Sequence, residues 1–188
     1  PKNLSGVQSY VALTLEEVLA VREAAVKGGD NELITYIDVA RYTGMRISEI
    51  GALSSASVVV VDGVQCFKVK SNAKTAASAN RLVPIAPALR ELMEANQCPL
   101  DEFDMAQTDV KVSKRFGRHK KKVLDGGESR LKCFHSIRKF VATTLERAGI
   151  SEGITADLLG HEKQTMTYGV YSAGSSMEQL VSAVKKLE

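Results

Sequence analysis

The sequence predicts an α+β domain, mostly α-helical, with a small antiparallel three-stranded β-sheet set early in the chain. Three observations point that way. Apolar residues recur at helical spacing through much of the chain, as in Leu33, Ile34, Ile37, Val39 and Ala40, the period that lets one helix face meet a core. The pattern turns strand-like where two valine-rich runs flank Asp62-Gly63, a dipeptide that favours a two-residue hairpin turn. Finally, 188 residues with 44% hydrophobic and 25% charged content suit one globular domain with a substantial core.

The elements follow in order. Thr14 with Glu17 has the form of a capping box and opens a helix that runs to Gly28-Gly29. A second helix fits Asn31 to Thr43, with Gly44 as its stop signal, and Arg46 to Leu53 reads as a short helical segment. Val58 to Val61 and Val64 to Val69 form the hairpin. After a polar stretch, Ser71 to Asn80, a third strand runs from Arg81 to Ile85 and ends at Pro84. Helical patterns then cover Pro87 to Ala95, Asp109 to Leu124, His135 to Ala148 (closed by Gly149) and Thr155 to Leu159 before Gly160. The tail from Ser176 to Leu187 is amphipathic, with Met177, Leu180, Val181, Val184 and Leu187 on one stripe. With no repeat, low-complexity tract or linker, residues 1–188 read as a single domain.

Composition narrows the function classes. No apolar run approaches the roughly 20 residues that cross a bilayer. The first residues, PKNLSGVQSY, lack the apolar core of a secretory signal, so the expected location is cytoplasmic. Cys66, Cys98 and Cys133 are odd in number and unpatterned, which argues for a reducing compartment and against a disulfide framework or zinc site. Cys133 and His135 lack a second ligand pair, so no metal is expected. The net charge of +3 is small, but residues 111–139 hold eleven Lys and Arg against two acids. Lys111, Lys114, Arg115, Arg118, Lys120, Lys121, Lys132 and Lys139 are therefore candidate DNA-phosphate contacts, since neutralising phosphates releases condensed counterions. The plain alternative is a solvated basic helix face.

Five local clusters carry the chemistry. In Thr43-Gly44-Met45-Arg46-Ile47-Ser48-Glu49, a glycine between two helices allows a sharp turn that aims Arg46 outward. Glu49, three residues on, shares its helical face and can hold the guanidinium. Lys74, in the polar loop leaving the hairpin, can donate a proton to a leaving oxygen, with Lys70 as a competitor four residues earlier. His135 and Arg138 open a helix with imidazole and guanidinium on one face, at an end that favours anions. His161 follows a helix end and turn, Leu158-Leu159-Gly160. Tyr171 lies ten residues later, with Tyr168 three residues before it. A phenol attacks a phosphate only when neighbouring cations and a base help it ionise. Taken singly, each cluster has a bland structural account: a surface ion pair, a loop lysine, an incidental histidine, a half-buried aromatic.

Taken in order, the clusters resemble the catalytic domain of the tyrosine recombinases, the phage integrase family, over roughly residues 10 to 185. Arg46 and Glu49 are similar to its Thr-Gly-x-Arg-x-x-Glu box, Lys74 to its hairpin lysine, His135 and Arg138 to its His-x-x-Arg box, and His161 to its Leu-Gly-His box. Tyr171, in Tyr-Gly-Val-Tyr-Ser, falls where the nucleophile belongs. The resemblance implies a site-specific recombinase of phage or mobile-element type that works through a 3′-phosphotyrosyl intermediate without cofactor or metal. It implies that Arg46, Lys74, His135, Arg138, His161 and Tyr171 are catalytic, supported by Glu49. As partners it implies double-stranded DNA attachment sites, further protomers in a tetrameric synaptic complex, and room for DNA-bending accessory proteins. The family's N-terminal core-binding domain has no counterpart segment here, so a catalytic domain alone is expected. A type IB topoisomerase, or an inactive DNA-binding module using residues 111–139, is the rival reading.

Overall fold

The computed structural model describes residues 10–69, 81–94, 108–124, 126–161 and 174–188. Helix α1, Leu15–Lys27, opens on the expected capping box: the Thr14 hydroxyl accepts from the Glu17 N–H, and the Glu17 carboxylate accepts from the Thr14 N–H. Helix α2, Asn31–Thr43, starts at the Asp30 cap and ends at Gly44, which adopts φ +64°. Its buried residues, Leu33, Thr35, Tyr36, Ile37, Val39, Ala40 and Thr43, lie on more than one face, as expected of a helix surrounded by others. Short α3, Ile47–Gly51, follows; it is trimmed relative to the Arg46 to Leu53 expectation because Arg46 serves as its N-cap in an extended conformation.

The strands are β1, Val58–Val61, β2, Val64–Val69, and β3, Arg81–Pro84, in the order β1-β2-β3 with antiparallel pairing throughout. Asp62 and Gly63 both take positive φ, 51° and 75°, the requirement of the tight turn that matches strand twist. Adjacent Cys66 and Phe67 are both fully buried, although successive strand residues face opposite ways. The second face is therefore covered too, and the Cys66 Sγ lies 3.7 Å from the Met177 Sδ of the last helix.

Helices α4, Pro87–Glu94, α5, Thr108–Val123, α6, His135–Arg147, and α7, Glu152–Leu159, complete the body. The start of α7 lies three residues ahead of the expected Thr155, because the Ser151 hydroxyl caps the Ile154 N–H. Two 3₁₀ turns, Ser55–Ser57 and Gly127–Leu131, carry no period that the sequence displays. Helix α8, Met177–Val184, runs into a final turn at Lys185–Leu187. It packs on α7 and β3, and its terminal turn on α6; Leu180, Ala183, Val184 and Leu187 are buried, so the apolar stripe of the tail is covered by its own domain. The main core is continuous through α1, α2, α5 and α6. Edge-to-face contacts of Phe134 with Phe116 (5.5 Å) and Tyr36 (6.3 Å) lock the start of α6 into it.

Candidate active site

The site begins where α2 ends. The Thr43 hydroxyl donates to the Val39 carbonyl and accepts from the Met45 N–H, which steers the chain through the Gly44 turn. A Cβ on Gly44 would stand 2.3 Å from a Leu159 methyl and 3.0 Å from one of Val141. Only glycine fits, both for its positive φ and for the close approach of α6 and α7. The turn delivers Arg46 to the mouth of α3, with its side chain about one-third exposed.

Glu49, with a side chain only 3% exposed, is the hub. Its Oε1 accepts from the Arg46 Nη1 at 2.8 Å and the Arg81 Nη1 at 2.9 Å. Its Oε2 accepts from the Arg46 backbone N–H and the Arg81 Nη2, both at 2.8 Å. Four bonds use the roughly four acceptor positions of a carboxylate. The Arg138 Nη1 stands 3.9 Å from the same Oε2. Burial alone would push the Glu49 carboxyl up; the hydrogen bonds and charge of Arg81, then those of Arg46, outweigh it and hold the group at about 2.

Arg138 is 4% exposed and spans two elements, donating from Nη1 to the Gly44 carbonyl at 2.8 Å and from Nη2 to the Leu159 carbonyl at 2.6 Å. The Arg81 Nε donates to the Leu158 carbonyl at 3.0 Å. Two guanidinium groups thus satisfy carbonyls that the end of α7 leaves open, where the helix dipole also favours cations. Burial, then the charge of Arg46, lowers the Arg138 guanidinium below its ordinary value, against the pull of Glu49; it remains a cation at neutral pH.

Both predicted imidazoles face this cluster. His135 opens α6 beside buried Phe134, and His161 follows Gly160, whose φ of 69° turns the chain out of α7. Each keeps an exposed edge. Desolvation of the inner side, then the charges of Arg138, Arg46 and Lys139, lowers His135. Desolvation, then Arg138, Arg46, Arg81 and His135, brings His161 down to about 4. Both are therefore neutral at pH 7. Lys74 and its alternative Lys70, and Tyr171 and its alternative Tyr168, lie outside the described residues.

Arg81 is the member that sequence reasoning missed. It reads there only as the start of a strand, and Glu49 reads as a partner of Arg46 alone. The bidentate pair joins residues 32 apart in sequence, a separation that no local spacing signals.

The basic segment divides in two. Lys111, Lys114, Arg118 and Lys121 are exposed on α5, at spacings of three and four that place them along one face. The other four candidates are engaged by groups of the protein itself. Arg115 pairs with Glu32 and Asp30, and the Lys120 Nζ is buried against the Ser129 and Lys132 carbonyls. Lys132 pairs with Glu17 at 2.6 Å, and Lys139 donates to the Tyr10 carbonyl. Among the described residues no group of three or more His, Cys, Asp or Glu is placed to hold a metal ion, and no helix is long and apolar enough to cross a membrane.

A family model described as "Phage integrase family" matches residues 11–177. No curated protein matches the chain. Among solved structures, a lambda integrase dimer bound to a COC′ core site is similar, with TM-score 0.56, 20% identity, and 92% of this chain and 52% of that chain covered. The lambda integrase catalytic core gives TM-score 0.53 at 20% identity, covering 83% of this chain and 94% of that one. XerA recombinase gives TM-score 0.54 at 19% identity, covering 95% and 65%. The chain spans about half the length of the DNA-bound lambda integrase it matches.

Proposed function

This chain belongs to the phage integrase family, and from that premise we propose that it cleaves and rejoins DNA at specific sites through a 3′-phosphotyrosyl link, in the integration or excision of a phage or mobile element. The observation that carries the reading is the charge balance of the Glu49 cluster. Three guanidinium cations share one carboxylate, leaving two positive charges in excess in a largely buried setting. Unmatched buried charge is costly, and a phosphodiester supplies one negative charge at rest and approaches two as an attacking oxygen adds. The site is thus better matched to the transition state than to the ground state, the condition for catalysis.

In this reading the Tyr171 oxygen attacks phosphorus, the bond to the 5′-oxygen breaks, and Lys74 protonates that oxygen. Arg46, with its exposed third, and Arg138 hold the non-bridging oxygens. Neutral His135 accepts the phenol proton, and neutral His161 still has one N–H to donate to the phosphoryl group. The 5′-hydroxyl of a second strand then reverses the chemistry, so bond energy is retained in the phosphotyrosine. The exposed stripe of Lys111, Lys114, Arg118 and Lys121 takes backbone phosphates. Lambda integrase forms a tetramer on a Holliday junction, and we propose a comparable assembly of four protomers here, on attachment-site DNA.

The test is covalent capture. A nicked duplex that loses its leaving strand should trap protein on DNA, and mass mapping should place the link on Tyr171. Tyr171→Phe should abolish the adduct and spare non-covalent binding. An adduct that persists in that variant removes Tyr171 as nucleophile and points to Tyr168.

A further inference from the structure

We infer that Arg81, which the reaction scheme leaves out, is a positioning residue of strand cleavage: by forking onto Glu49 and holding the Leu158 carbonyl, it sets the aim of Arg46 and the seat of the turn that presents His161. The inference rests on the function proposed above and goes beyond it, because the proposed chemistry gives Arg81 no contact with the phosphate. Its side chain is 5% exposed. Three of its N–H donors are spent inside the protein, two on Glu49 and one on Leu158.

The geometry ties three elements at one point. Through Glu49, Arg81 of β3 reaches Arg46 at the start of α3; through Leu158 it reaches the end of α7. Gly160 completes the contact: a Cβ there would lie 2.8 Å from the Arg81 Nη1 and 3.0 Å from its Cζ. The glycine therefore serves the guanidinium that packs against it as well as its own positive φ. Arg81 also pairs with Val69 across the sheet, so the strand ends that bound residues 70–80, where Lys74 lies, are anchored to the same carboxylate.

The chemical consequence follows from the four bonds on Glu49. Without Arg81, two acceptor positions of a buried carboxylate lose their donors, and the remaining donors from Arg46 no longer fix its plane. An error in aim of about ten degrees at Arg46 is felt in the rate rather than in affinity, because the misplaced group meets the charge that develops only in the transition state. The carboxylate also becomes easier to protonate. The charged groups facing it are Arg46 on its own helix, Arg81 on β3 and Arg138 on α6, and His161 at the end of α7 faces those arginines.

The experiment follows covalent adduct formation by this chain against pH, with a pool of nicked duplexes randomised at the centre. Arg81→Met should slow adduct formation by about a hundred-fold, leave non-covalent duplex affinity unchanged, and move the acid limb of the pH profile upward. Arg81→Lys, which keeps the charge but not the fork, should recover part of the rate. A folded Arg81→Met protein with the wild-type rate and profile overturns the inference. Should that variant fail to fold, Arg81→Lys decides: a wild-type rate and profile there overturns it equally, and a slowed rate with a shifted acid limb supports it. Wild-type protein that traps no DNA sinks the function itself, and the role of Arg81 falls with it.

Discussion

Replacing Glu49 by Gln tests the hub directly. The amide keeps the shape of the carboxylate but removes its charge and turns one oxygen into a donor, which then faces either the Arg46 N–H and Arg81 Nη2 or the Arg46 and Arg81 Nη1 groups. The fall of the Glu49 carboxyl from 4.5 to about 2 sets the scale. Each ten-fold change in proton affinity is worth about 1.4 kcal/mol, so ionised Glu49 contributes about 3 kcal/mol to folding. Loss of one partner from a buried ion pair, at about 3–5 kcal/mol, agrees. Because the folded state depresses this group, its contribution is present above the unfolded value and is lost as pH falls through 4.5 toward about 2. Urea unfolding of both proteins at neutral pH and near pH 3 measures it. The gap between wild type and Glu49→Gln should be about 3 kcal/mol at neutral pH and should shrink on acidification. A gap that is absent at neutral pH, or unchanged near pH 3, would refute the assignment of Glu49 as the ionised centre of the cluster.

Other consequences are equally open to measurement. His161, lowered to about 4, should show no titration of its ring proton resonances between pH 5.5 and 8, and inorganic phosphate bound beside it should raise it; a midpoint near the ordinary 6.5 in the free protein contradicts the burial and charge described here. Its sign in stability is that of a depressed histidine: the folded state loses ground as pH falls below 6.5 toward about 4. Gly44→Ala meets both a positive φ and a 2.3 Å approach, for about 2–5 kcal/mol, whereas Gly29→Ala, at φ 66° with open space around it, should cost only about 1–2 kcal/mol; thermal melts compare them. Lys114→Ala should leave stability unchanged and lower the salt slope of duplex binding by about 1, while Lys120→Ala should destabilise by about 1–3 kcal/mol by stripping the donor from buried carbonyls.

What could be read from sequence was what local chemistry determines. The limits of α2 came from an Asp cap and a glycine stop, and the hairpin from Asp62-Gly63, because caps and turns answer to residues a few positions apart. The start of α7 was missed because Ser151 capping looks, in sequence, like any serine in a polar loop. Arg46, His135, Arg138 and His161 were legible as candidates by their order, and the structure sets the two histidines beside the arginines that gather on Glu49. Arg81 was not legible in that role, since its partner lies 32 residues away. Nor did charge counting separate Lys120 from Lys121: neighbours in a helix point about 100° apart, so one meets buried carbonyls and the other meets water.

The sulfur contact between Cys66 and Met177 has a practical corollary. The thiol is fully shielded, and the last helix supplies its cover on the outer face of the sheet. An alkylating reagent can reach Cys66 only while that helix is lifted or the sheet is open. Its labelling rate under native conditions, mapped to the Cys66 peptide, is therefore a built-in clock for how often the C-terminal helix leaves its seat or the sheet opens.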